Sequence, residues 1–170
     1  LCLNDTSIVG LEKNKIMNKA YGFLIKKGFK IIDFELKNET NEITVKAGHD
    51  AYLQKFGCVH HREISIDKIN NKIVGKDTVL QKAENLNVKY DVRFHLNPGL
   101  TAVQTIGGNT ALIQINKNRT LLFSTKEKNL KIEKSIFLGG RKVLENYCIL
   151  ISGILDNNEK IINWEIIKKI

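Results

Sequence analysis

From about residue 28 to the end, this chain repeatedly alternates apolar and polar residues one for one. Tyr90, Val92, Phe94 and Leu96 interleave with Asp91, Arg93 and His95. Ile32, Phe34 and Leu36 interleave with Asp33, Glu35 and Lys37, and Ile43, Val45 and Ala47 with Thr44 and Lys46. Successive side chains of a strand point to opposite faces, so each run predicts a strand with one buried face and one wet face. Turn residues separate the runs: Asn70-Asn71, Gly107-Gly108-Asn109, Asn116-Lys117-Asn118 and Asp156-Asn157-Asn158. Asn, Asp and Gly tolerate the positive φ of tight hairpins. Short strands at hairpin spacing predict an all-β fold, a two-layer antiparallel β-sandwich with little helix.

The only other candidate for regular structure is residues 10–28. Leu11, Ile16 and Ala20 could share a helical face, but Gly10, Gly22 and Gly28 weaken that pattern, and the stretch reads as mostly loop. No linker interrupts the strand pattern, so residues 1–170 are expected to form one domain. The chain opens at Leu1 without Met and without the basic-then-apolar start of a signal peptide, so it is expected to be a piece of a longer protein. Its longest apolar runs, such as 148–151, fall far short of the roughly 20 residues needed to span a bilayer. The compartment is left open.

Net charge is +9, which favours acidic partners: nucleic acid, anionic lipid or an acidic polysaccharide. Of the 27 basic residues, only Arg62, Arg93, Arg119 and Arg141 are arginines. Readers of phosphate and sulfate favour the arginine fork, so a generally lysine-rich composition competes with the functional reading. No element that would enter a nucleic-acid groove is evident, and no basic stripe interleaves with aromatics, so nucleic acid is not expected as a partner. Cys2, Cys58 and Cys148 are odd in number and widely spaced, against a disulfide framework or a thiolate zinc site. Cys58 and Cys148 sit in apolar stretches and read as core residues.

Two polar clusters carry potential chemistry. The first runs through Gly48-His49-Asp50-Ala51-Tyr52 and Phe56-Gly57-Cys58-Val59-His60-His61-Arg62-Glu63 and holds three of the four histidines. It reads either as an acid/base or metal pocket with an anion-binding arginine, or as a turn entering a strand with a structural hydrogen-bond network. Adjacent His60 and His61 would point to opposite faces of a strand, so only one of them could join His49, and no metal set is assigned. The second cluster is Arg93-Phe94-His95, where Arg93 and His95 share the polar face of the best strand before an Asn97-Pro98-Gly99 turn. It reads as an anion-contacting pair with imidazole as acid or base, or as a solvated sheet face. Gly139-Gly140-Arg141-Lys142 lacks the ending and context of a phosphate loop and reads as a hairpin turn.

The ordered set of segments resembles the C-terminal β-sandwich region of the heparinase II/III-like polysaccharide lyases. The segments are Leu3-Asn4-Asp5-Thr6-Ser7, then His49-Asp50-Ala51-Tyr52 with Phe56-Gly57 and His61-Arg62, then Gly75-Lys76-Asp77 and Arg93-Phe94-His95-Leu96-Asn97-Pro98. They continue with Leu130 to Ser135 into Leu138-Gly139 and end at Ile162-Asn163-Trp164. Asn97 stands where the family pattern has a second histidine, and an aromatic expected near Leu122 is absent.

The resemblance implies the C-terminal domain of an enzyme whose N-terminal α/α toroid is absent from this chain. It implies cleavage of uronate-containing acidic polysaccharides by β-elimination. It also places the catalytic groups in the toroid, and in some members a structural divalent metal, upstream of this segment; the isolated domain is then expected to be inactive, and no cofactor is expected in the segment itself. Acidic polysaccharide and the protein's own toroid are the implied partners, and export is the implied address. His49, Tyr52, His61, Arg62, Arg93 and His95 match recurrent polar positions and are the candidate substrate contacts, with Arg93 and His95 ranked first and Arg62 next, because a guanidinium suits carboxylate and sulfate geometry. The alternative is a non-catalytic module, acidic-glycan-binding or purely structural.

Overall fold

The fold is known from a computed structural model, which describes residues 1–11, 14–22, 25–82, 87–139 and 142–169. Its first elements are β1 (Cys2–Leu3), β2 (Gly10–Leu11), α1 (Lys15–Tyr21), β3 (Ile25–Lys27), β4 (Ile31–Asn38), β5 (Glu42–His49) and α2 (Leu53–Phe56). There follow β6 (Cys58–Asp67), β7 (Lys72–Gln81), β8 (Val88–His95), β9 (Thr101–Gln104) and β10 (Thr110–Asn116). The chain closes with β11 (Arg119–Thr125), β12 (Leu130–Gly139), β13 (Lys142–Leu155) and β14 (Glu159–Lys169).

Two antiparallel sheets of unequal width form the sandwich that the alternation predicts. One has four strands in the order β1-β8-β13-β12, the other eight in the order β4-β5-β6-β7-β14-β11-β10-β9. Leu3, Val88, Tyr90, Val92, Leu130, Ile149 and Ile151 of the narrow sheet pack with Val79, Ala111, Ile113, Phe123, Ile162 and Trp164 of the wide one. The expected turns are where the Asn and Gly residues fall: Asn71 (φ 49°) joins β6 to β7, and Gly108 (φ 72°) joins β9 to β10. β12 and β13 pair as far as Gly139 and Lys142, while Gly140 and Arg141 between them lie outside the described residues. Cys58 and Cys148 are buried, as their apolar settings predict. Among the described residues no helix is long and apolar enough to cross a membrane.

Two expectations need correction. Residues 10–28 are not mostly loop: β2 and β3 pair, and α1 lies between them. The helix starts because the Asn14 side chain accepts from the Ile16 and Met17 amides, and it stops at Gly22 (φ 77°). Ile16 is exposed, so capping rather than burial of an apolar face sets this element. The second correction concerns the rule of one dry face and one wet face. Ile31, Phe34 and Leu36 on β4 are all exposed, because eight strands cannot be covered by four and β4 is an edge strand. Conversely Asp91, on the face of β8 expected to be wet, is 3% exposed, beneath Arg93 and Lys89.

Gly75 shows how tightly the two central strands of the wide sheet are fitted. It lies directly across from Trp164, and a Cβ at position 75 would overlap the indole. The same indole stacks with Phe123 at 6.2 Å and meets Phe94 of the opposite sheet edge-on at 4.8 Å. Gly75→Ala is therefore expected to lower stability by about 1–3 kcal/mol through overpacking. Urea unfolding followed by the fluorescence of Trp164, the single tryptophan, reads this directly, and an unchanged midpoint would contradict the fit.

Candidate functional site

On β7 the inward parity reads Ile73, Gly75, Asp77, Val79, so a carboxylate stands where an apolar residue is expected. Asp77 is 0% exposed. A buried carboxylate is costly unless it is paired and its oxygens are hydrogen-bonded. Both conditions are met. His60 Nε2 lies 2.6 Å from Oδ1, Arg62 donates from Nε to Oδ1 at 2.8 Å and from Nη2 to Oδ2 at 3.1 Å, and Trp164 Nε1 donates to Oδ2 at 2.9 Å. Strand register explains the convergence. Arg62 is the direct cross-strand partner of Asp77 on one side and Ile162 on the other, with His60 and Trp164 two residues along on the same face.

The line of contacts continues outward. His60 Nδ1 lies 3.1 Å from Nε2 of His49, its cross-strand partner, and His49 Nδ1 accepts from the Ala51 amide at 3.4 Å. A carboxylate only accepts, so His60 carries its proton on Nε2. Its Nδ1 then accepts from a His49 that is protonated on Nε2, leaving Nδ1 of His49 to take the Ala51 N–H. All four ring nitrogens are thereby used.

Burial would push the Asp77 carboxyl up, but the hydrogen bonds from His60 and Arg62, with the Arg62 charge, hold it down at about 2. Burial also lowers both imidazoles, His60 against the pull of Asp77, and His49 to about 4 with added repulsion from His60. At neutral pH the cluster is an ion pair, Arg62 with Asp77, backed by two neutral histidines.

The structure separates the six candidate contacts into three places. His49, Tyr52 and Arg62 belong to this inner cluster or its wall. Tyr52 is 1% exposed, its ring 5.6 Å from His49, and its hydroxyl donates to the Leu1 carbonyl at 3.0 Å; burial raises its pKa to about 12. His61 points to the opposite face of the wide sheet, as the strand rule requires, with Nδ1 3.7 Å from Asp33 Oδ2. Gly48 opposite leaves room for that ring. Arg93 and His95 lie on the outer face of the narrow sheet. Arg93 Nη2 is bound to Asp91 Oδ2 at 2.9 Å and His95 Nδ1 is 3.1 Å from Ser135 Oγ. They share no network with Arg62, although Phe94 between them packs under the Arg62 guanidinium at 5.8 Å.

Sequence reasoning left open which of His60 and His61 joins His49, which the structure answers with His60, and treated Asp77 and Trp164 only as parts of matching segments. The signal available was parity, since a charged residue at an inward position of an alternating strand marks a buried partner. Among the described residues no group of three His, Cys, Asp or Glu is placed to hold a metal ion. His49, His60 and Asp77 approach such a set, but their donor atoms are spent on one another.

A two-sheet antiparallel sandwich with a buried carboxylate–imidazole–guanidinium cluster, linking segments far apart in the chain, is the class of domain defined here. The sequence profile described as Heparinase II/III-like, C-terminal, matches residues 1–165, and the chain belongs to that family. Among solved structures, the fold is similar to heparan sulfate lyase HepC from Pedobacter heparinus, with a TM-score of 0.69 and 12% identity over 82% of this chain and 22% of that one. A mutant of the same enzyme gives 0.67 and 10% over the same shares. The chain thus spans about a fifth of the length of that enzyme, and at this identity the likeness is one of fold. Comparison with curated proteins gives no match.

The lowered pKa of His49 has a consequence for stability. Well above pH 6.5 the imidazole is neutral in both states and the network contributes in full. As pH falls from 6.5 towards 4, the unfolded chain takes up a proton that the folded chain refuses, so stability drops across that window. The Asp77 contribution persists above its unfolded value of 3.8 and is lost as pH falls through about 2. His49→Gln, which keeps a donor towards His60, is expected to flatten the dependence of the urea midpoint on pH between 7 and 4; an unchanged slope would contradict the placement of His49.

Proposed function

We propose that this chain is a single sandwich domain of a longer polysaccharide lyase that cleaves uronate-containing acidic polysaccharides by β-elimination. In that reaction a base removes the C5 proton of the uronate, an acid protonates the leaving glycosidic oxygen, and positive charge or hydrogen bonds stabilise the developing enolate. The base and acid belong, in this reading, to an upstream α/α toroid.

The observation that carries the reading is the construction of the polar cluster. It offers a cationic Arg62, 31% exposed, backed by imidazoles whose nitrogens are all engaged. Such a cluster is suited to holding an anionic sugar and not to moving its protons. The family match over 1–165 and the fold likeness to a heparan sulfate lyase support the substrate class. The unequal sheets support a further domain. Beyond the reach of the narrow sheet, the inward face of β4, β5 and β6 leaves Ile31, Leu36 and Ile66 exposed beside half-buried Ile43, Val45 and Ile64. An uncovered apolar sheet face continuous with a polar cluster fits a domain boundary that doubles as a cleft.

The test is an ultraviolet assay for unsaturated uronate product on heparan sulfate, alginate and other uronate polymers, comparing the full-length protein with this 170-residue chain. Activity in the full-length protein alone is the expected result. Activity in the short chain would overturn the assignment of the catalysts upstream and point to His49, His61 or His95. Silence from both, with salt-sensitive glycan binding retained, would favour the non-catalytic binding module.

A further inference from the structure

Resting on that reading, we infer that Arg62 is the receptor for the uronate carboxylate and that Asp77 is its positioning residue. The guanidinium is planar, with two edges able to grip a two-oxygen acceptor. Asp77 occupies one of them, through Nε and Nη2. The opposite edge, between Nη1 and Nη2, makes no hydrogen bond to a described residue, and the side chain is 31% exposed. Arg62 therefore presents a preset, partly exposed fork beside the first residue of the chain, whose amino group lies within its electrostatic reach.

What presets it is unusually complete. Asp77 cannot swing away, because His60 and Trp164 hold its two oxygens from the far side, and His49 holds His60. Phe94 lies under the guanidinium, 5.8 Å from its carbon, and is itself wedged edge-on against Trp164 and Phe123 at 4.8 Å each. An arginine so clamped loses little rotamer freedom on binding. The fork favours a planar two-oxygen carboxylate held in its own plane. A tetrahedral sulfate shares the charge and could compete, so the experiment separates the two.

The measurement is affinity of the full-length protein for three matched polymers: heparan sulfate, its carboxyl-reduced form and its desulfated form. Wild type is compared with Arg62→Lys, Arg62→Gln and Asp77→Asn, each checked for a cooperative thermal transition. Arg62→Lys and Arg62→Gln are expected to weaken binding of native and desulfated polymer roughly ten- to a hundred-fold, the worth of a charge-assisted hydrogen-bond pair. The carboxyl-reduced polymer should bind wild type and variants alike, since the partner of Arg62 has been removed from it. Asp77→Asn should weaken only the carboxylate-bearing polymers; a merely structural Asp77 would weaken all three together. If the variant effect vanishes on desulfation instead, the carboxylate assignment is overturned in favour of sulfate. If variants and wild type bind every polymer equally, Arg62 is a structural ion pair and the inference fails. Because the readout is binding, a full-length protein without lyase activity but with Arg62-dependent carboxylate binding would refute the lyase reading and leave this one standing.

Discussion

The buried carboxylate of Asp77 is the constraint around which the middle of the wide sheet is arranged. A charge without solvent needs its compensation built in, and here it comes from the strands on both sides of β7, where Asp77 lies: His60 and Arg62 on β6, and Trp164 on β14. Each donor also fixes something else. Trp164 requires a glycine across from it and closes the aromatic contact with the narrow sheet. His60 requires a donor on Nε2 of His49. Arg62 is left with one edge towards solvent. Removing the carboxylate would strand a partly exposed cation and two oriented donors, which is why such networks behave as a unit and not as a sum of pairs.

Much of the architecture was legible because it depends on parity and on turn chemistry. Tyr90, Val92 and Phe94 alternate with Asp91, Arg93 and His95, and that alone fixes a strand and its inward face. The Asn and Gly turns follow from the conformations those residues tolerate. The separation of His60 from His61 follows from the same rule. Less legible were features that depend on what lies across a strand or beyond its end. Nothing in the sequence of β4 tells that the narrow sheet stops short of it, so its exposed Phe34 and Leu36 look like core residues. The capped helix after Asn14 was hidden because Gly10, Gly22 and Gly28 weaken its short pattern, and its exposed Ile16 packs on no core.

The candidate site was legible in its members more than in its geometry. Arg62 and His49 were identified as polar positions worth attention, and they do share a network. Arg93 and His95 looked equally promising on the same grounds, yet their strand carries them to the other side of the narrow sheet. Sequence spacing cannot say which side of a sandwich a polar face ends on; sheet order can. Asp77 shows the converse: an acidic residue read only as part of a matching segment becomes the hub once register places Arg62 and Ile162 on either side of it.

The unequal width of the two sheets gives the domain a gradient of rigidity. β7 and β14 have hydrogen-bonded neighbours on both sides and a dry face beneath them, whereas β4 has one neighbour and no covered face. Opening should begin at β4 and spread inward, so backbone amides there exchange first and those of β7 and β14 last. β5 stands at the midpoint, belonging to the loose margin along most of its length but carrying His49 at its end. Any surface that settles on the margin and stills β4 and β5 would therefore also still the far end of the chain of contacts that holds the arginine. The mount of Arg62 and the cover of the sheet are mechanically one piece.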